Sequence, residues 1–204
     1  SGNTHLALLG QAGTGKSIAL AYLATLSAKR DPALGKLAKS IPFLLHIADM
    51  DLPAKNKGDL LTPLIRHFSA NASLFNAARI PKFVQFSFEQ GRTLLLLDGL
   101  DELPQNKIAE SVAYLKELLE EYPAIRVAVT ASMEYLDELI SLDFAPLTVK
   151  TWDRAEQKKF LDRWGSLWKN YVSLEAWVQA GPEEVDPLLL NSWIYANSAH
   201  FSPL

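Results

Sequence analysis

Residues 10–17 run Gly-Gln-Ala-Gly-Thr-Gly-Lys-Ser, and no other stretch of the chain constrains its fold as tightly. Gly10, Gly13 and Gly15 leave the backbone free to take left-handed angles and to approach a bound group closely. The apolar run HLALL (5–9) precedes the loop, and from Lys16 to Lys29 the residues Ile18, Leu20, Leu23, Ala24 and Leu26 recur at helical spacing. A strand that turns through glycines into a helix aims backbone N–H groups and the positive end of the helix dipole at one point. Such a point binds phosphate. The spacing, a glycine, four residues, then Gly-Lys-Ser, adds a lysine to neutralise the outer phosphates of a nucleoside triphosphate and a hydroxyl to ligate Mg²⁺. A merely glycine-rich β–α turn is the alternative reading.

A second constraint lies at Thr93-Leu94-Leu95-Leu96-Leu97-Asp98-Gly99-Leu100-Asp101-Glu102. Four consecutive leucines read as a strand buried on both faces. Asp98 then falls at its carboxyl end, where open parallel sheets bind their ligands. A carboxylate there complements the Ser17 hydroxyl around Mg²⁺. Asp101 and Glu102, just beyond, are placed to take a proton from an attacking water. Three carboxylates within five residues repel one another unless a cation shares their space, which by itself points to a metal. A solvated acidic turn capping the next helix is the other possibility.

Further apolar runs occur at IPFLLHIA (41–48), IRVAVTA (125–131) and LTVK (147–150), with amphipathic stretches between them. One of these carries Ile108, Val112, Leu115 and Leu119 up to Tyr122, where Pro123 ends the helix. This β-α punctuation predicts an α/β fold, a parallel five-stranded sheet sandwiched by helices. All five tryptophans lie beyond residue 150, where the pattern becomes purely helical. A boundary there gives a nucleotide-binding domain over 1–151 and an incomplete helical subdomain over 152–204. Asp153 and Glu156 read as a helix start, and Phe160, Trp164, Leu167, Trp168 and Tyr171 as one apolar stripe, more simply core than interface. Shorter helices follow around 173–180 and 183–199. His46 reads as a hydrogen-bonded strand residue, and the four histidines lack metal spacing.

Composition narrows the surroundings of such a fold. The 204 residues carry 20 Lys and Arg against 23 Asp and Glu, a net charge of −3, with no electrostatic footprint for a nucleic-acid backbone. There is no cysteine for a disulfide framework, no apolar run long enough to span a membrane and no secretory leader pattern, so the expectation is cytoplasmic and membrane-free.

These residues together resemble the NACHT family of signal-transduction P-loop NTPases, of the STAND class. The likeness is carried by GQAGTGKS (10–17), IPFLLHIADMDL (41–52) and above all GRTLLLLDGLDEL (91–103), and extends to RAEQKKFLDRW (154–164) and DPLLLNSW (186–193). Gly99 directly after Asp98, with the acids at Asp101 and Glu102, is similar to that family's hallmark and unlike the Asp-Glu pair of typical AAA+ proteins. The resemblance implies ATP or ADP with Mg²⁺ as ligands, held along Gly10, Ala12, Gly13, Thr14, Gly15, Lys16, Ser17 and Ile18. It further implies the metal on Ser17 and Asp98, catalysis by Lys16, Asp101 and Glu102, and the adenine against Pro187, which is otherwise a helix-entry proline. It implies a switch, too: ATP favours an open form that self-associates, ADP a closed monomer, and slow hydrolysis resets it within a larger protein. On this reading the chain is a switch core excised from that protein.

One departure stands out. Relatives carry an arginine shortly after the fourth strand, in a Thr-Ser-Arg-like motif. Here the stretch is Val129-Thr130-Ala131-Ser132-Met133, and no Lys or Arg occurs between Val127 and Val149. Two other functions therefore stay in view, an AAA+-like ATPase acting on DNA or protein, and a scaffold that holds nucleotide without hydrolysing it.

Overall fold

A computed structural model describes residues 5–52, 60–150, 152–172 and 174 of the chain. The chain divides into two compact units between Val149 and Lys150. In the first, β1 (His5–Leu9) leads through the glycine loop into α1 (Lys16–Ala28), and a 3₁₀ segment (Pro32–Lys39) enters β2 (Ile41–His46). Then come α2 (Thr62–Ala70), α3 (Leu74–Ala77), α4 (Ile80–Glu89), β3 (Thr93–Asp98), α5 (Gln105–Glu121), β4 (Arg126–Ala131), α6 (Leu136–Ser141) and β5 (Phe144–Thr148). The five strands form one parallel sheet in the order β2-β3-β4-β1-β5.

The period-2 geometry of a strand sorts the leucines of β3 onto two cores. Leu94 and Leu96 join Ala128 and Leu20 of α1 on one face, while Leu95 and Leu97 join Val84 of α4, Leu64 of α2 and Ile108, Leu115 and Leu118 of α5 on the other. All four leucines are at most 2% exposed. Helices on both faces are what a parallel sheet demands, and they explain why β3 shows no alternation in sequence. Tyr114 of α5 is buried too, and its hydroxyl donates to the carbonyl of Leu60 at 2.7 Å.

Two strands differ from the sequence expectation. β2 stops at His46 instead of running on to Ala48. The His46 imidazole accepts from the Ala48 N–H at 3.3 Å, capping the short 3₁₀ turn Ile47–Asp49. β5 begins at Phe144 and ends at Thr148, earlier than the run at 147–150. It is an edge strand that pairs with β1 alone, it tolerates Pro146, and only Phe144 is buried, so its apolar signal is weak.

In the second unit, α7 (Arg154–Leu167) starts at a reciprocal capping box. Asp153 Oδ1 accepts from the Glu156 N–H and Glu156 Oε2 accepts from the Asp153 N–H, each at 2.9 Å. A π-helical turn (Trp168–Val172) follows. The aromatic stripe forms ring pairs, Trp152 with Phe160 and Trp164 with Trp168, each 5.0 Å between centroids, yet no residue of α7 is buried. The core reading of this stripe is thus not met among the described residues. Trp177, Trp193, Pro187, the expected helices at 173–180 and 183–199 and the DPLLLNSW stretch lie outside those residues. Among the described residues no helix is long and apolar enough to cross a membrane.

Candidate nucleotide site

The carboxyl ends of β1, β3, β4 and β2 bring four short segments together, because in a parallel sheet all strands end on the same edge. Gly10 leaves β1 with its N–H donating to Ala131 O at the end of β4, at 3.3 Å. The loop then folds on itself: Thr14 donates through Oγ1 to Gln11 O at 2.8 Å and through its N–H to the same carbonyl at 3.3 Å. Ala12 is exposed on the loop, and Gly13 turns with φ 76°. Gly15 is the N-cap of α1 in the left-handed region, φ 91°, a conformation in which any side chain would be strained. No side chain caps this end of α1, and its first turn holds no acid. The first N–H groups of the helix and its positive dipole end therefore face outward for an anion. Ser17 and Ile18 follow as exposed residues of that turn.

Lys16 is buried, 9% exposed, and its ammonium finds three acceptors. It donates to Gly10 O at 2.8 Å and to Gln11 O at 3.2 Å, and lies 3.5 Å from Asp101 Oδ2. Three acceptors match the three N–H bonds of an ammonium. The lysine therefore links the phosphate loop to the acidic segment across β4.

The acids are not gathered as the sequence implies. Asp98, at the end of β3 and paired in register with His46, accepts at Oδ1 from the Thr130 hydroxyl at 2.6 Å. Thr130 is fully buried in β4, and its Oγ1 in turn accepts from the Gly99 N–H at 2.7 Å. Asp101 pairs with Lys16, and Glu102 Oε2 lies 3.2 Å from His46 Nε2. Each carboxylate has its own partner, which relieves their mutual repulsion without a shared cation. Among the described residues no group of three or more His, Asp or Glu side chains is disposed to hold a metal. Crowding of these acids therefore does not by itself call for a cation. The donors expected for Mg²⁺, the Asp98 carboxylate and the Ser17 hydroxyl, are all hard oxygen. That suits an ion usually held by one or two protein groups plus phosphates.

Two residues of this cluster are not among the site residues expected from sequence. Thr130 stands in the stretch where relatives carry an arginine, and His46 reads in sequence as an ordinary strand residue. A signal for both existed, since each stands at the carboxyl end of a strand flanking β3.

The sequence model of the NACHT domain matches residues 4–167, most of the chain. The chain belongs to the NACHT family. It is accordingly a nucleotide-binding P-loop NTPase module, and the STAND class follows from the family. No curated protein matches the chain. Within this NACHT domain the small residue after Asp98 has a local cause. Gly99 turns with φ 80°, and a Cβ there would fall on the imidazole of His46.

Proposed function

We propose that this NACHT domain binds ATP with Mg²⁺ and hydrolyses it slowly, using the nucleotide to control self-association and signalling of a larger cytoplasmic protein. The observation that carries the reading is Lys16, held between the loop carbonyls of Gly10 and Gln11 and the Asp101 carboxylate. A lysine so held is positioned to exchange its acceptors for phosphate oxygens. The left-handed turns at Gly13 and Gly15 and the uncapped start of α1 support phosphate binding along Gly10, Ala12, Gly13, Thr14, Gly15, Lys16, Ser17 and Ile18. Ser17 and Asp98 would hold Mg²⁺, which supplies charge neutralisation on the outer phosphates. Thr130 fixes the Asp98 carboxylate from behind.

In hydrolysis the water oxygen bonds to the γ-phosphorus while the bond from that phosphorus to the β,γ-bridging oxygen breaks. Asp101 or Glu102 accepts the water proton and returns it to solvent, leaving ADP and phosphate. Lys16 donates to the oxygens on which charge builds. We further propose that residues 1–151 form the nucleotide-binding domain, 152–204 an incomplete helical subdomain, and Pro187 a contact for the base.

Calorimetry with ATP, ADP and GTP, with and without Mg²⁺, tests binding. Lys16→Ala is expected to abolish it, and unchanged affinity would refute the phosphate-loop assignment. Single-turnover assays test the chemistry: Asp101→Asn/Glu102→Gln should slow hydrolysis at least about a hundredfold. The absence of Lys and Arg between Val127 and Val149 favours a second reading, a scaffold that keeps ATP intact. Recovery of unhydrolysed ATP after hours with Mg²⁺ would select it.

A further inference from the structure

The neighbouring acids Asp101 and Glu102 are drawn to opposite flanks of β3. Asp101 reaches toward the phosphate loop, its Oδ2 3.5 Å from Lys16 Nζ. Glu102 reaches toward β2, its Oε2 3.2 Å from His46 Nε2. The strand order β2-β3-β4-β1-β5 makes these directions contrary. Strands repeat about every 4.8 Å across a sheet, so β2 lies one spacing from β3 on one side and the loop strand β1 two spacings away on the other.

The imidazole is seated for this contact. The Ala48 N–H donates to Nδ1 at 3.3 Å, which makes Nδ1 the acceptor and leaves the hydrogen of the neutral ring on Nε2, where it donates to the Glu102 carboxylate. The ring lies against Gly99, and a Cβ at that position would overlap Nε2 and come within 2.5 Å of Cε1. Ring, glycine and carboxylate thus form one fitted contact between the end of β2 and the turn after β3.

We propose that His46 is a positioning residue that restrains Glu102, holding its carboxylate on the β2 side of β3, away from the phosphate loop, and thereby slowing hydrolysis. The proposal rests on Glu102 as the acceptor of the water proton. Glu102 is 66% exposed, so the bond competes with water and opens readily. A side-chain hydrogen bond of ordinary net strength shifts such an opening by roughly three- to tenfold.

The test uses single-turnover ATP hydrolysis and calorimetry on wild type, His46→Phe, His46→Leu, His46→Gln and Glu102→Gln, each with its melting temperature. Phe and Leu remove the donor, and both should raise the hydrolysis rate by roughly three- to tenfold while ATP affinity stays within about twofold. His46→Gln retains an N–H donor and should bring the rate back toward wild type. A readout independent of turnover comes from imidazole ¹H–¹⁵N spectra without added nucleotide. They should show His46 as the Nε2–H tautomer, with its Nε2 signal displaced in Glu102→Ala. If His46→Phe and His46→Leu melt like wild type yet hydrolyse no faster, while Glu102→Gln is slow, the restraint is overturned and the proton-acceptor role of Glu102 stands. If Glu102→Gln hydrolyses at the wild-type rate, that role falls and the restraint with it. Should both His46 variants melt low, an unmoved Nε2 signal in Glu102→Ala overturns the proposal and a displaced one supports it.

Discussion

Thr130 and Gly99 show how single residues hold this site. The Thr130 hydroxyl gives its hydrogen to Asp98 and takes one from the Gly99 N–H, both within a fully buried position. Thr130→Val removes the first bond and leaves a buried N–H without an acceptor, so a loss of about 1–3 kcal/mol is expected in chemical denaturation. The same change should weaken the Mg²⁺ dependence of nucleotide affinity in calorimetry, and Thr130→Ser should restore much of it. Gly99→Ala faces two penalties, a left-handed φ of 80° and the His46 ring. Backbone strain of this kind costs of order 1–3 kcal/mol, and the melting temperature should fall accordingly. Position marks both residues in the linear sequence, but their partners are not visible there, because those of Thr130 lie 31 and 32 residues away and those of Gly99 on two other strands.

Among the elements, β3 is the most exacting. Leu96 and Leu97 face opposite cores, and each is fully buried. Leu96→Ala and Leu97→Ala should each cost about 2–5 kcal/mol in urea unfolding. In a strand buried on one face only, adjacent truncations would differ sharply, so a near-neutral result for either would contradict the two-core arrangement. α7 begins differently, with a charged cap at the surface. The Glu156 N–H holds the Asp153 carboxyl below its ordinary range, helped by Lys150 and opposed by slight desolvation. A carboxylate with a depressed native value stabilises above its unfolded value and loses that contribution as pH falls through the native one. The protection factor of amides in the first turn of α7, the exchange rate corrected for its intrinsic pH dependence, should therefore be full above the ordinary carboxyl value of 3.8 and decline as pH falls below it, and Asp153→Ala should remove that decline. Both elements announced themselves in sequence, β3 by its leucine run and α7 by its capping pair. β5 did so only in part, at 147–150 instead of Phe144–Thr148, since an edge strand with one buried residue carries little periodic signal.

At the scale of the whole molecule, the end of the sheet opposite the nucleotide site carries a different titration. His5, at the start of β1, is buried beside Phe144 with its Nδ1 unpartnered. Burial lowers its pKa from the ordinary 6.5, with Arg126 adding to the effect and Asp143 opposing it. A histidine with a depressed native pKa binds fewer protons folded than unfolded. Its contribution to stability is complete above pH 6.5 and declines below it. The urea midpoint should fall between about pH 7.5 and pH 5 in wild type, and His5→Phe should flatten that fall. The division of labour between sequence and tertiary structure has the same physical root throughout. The glycine loop, the leucine strand and the capping pair are local patterns, set by backbone freedom, periodicity and neighbours three or four residues away, so the amino-acid sequence determined the α/β class, the phosphate loop and the NACHT likeness by itself. Which acid meets which partner was decided only when four strand ends were brought to one edge of the sheet. There Asp98 meets Thr130, Asp101 meets Lys16 and Glu102 meets His46. Pairing across strands depends on sheet order, and sheet order is fixed by packing of the whole chain.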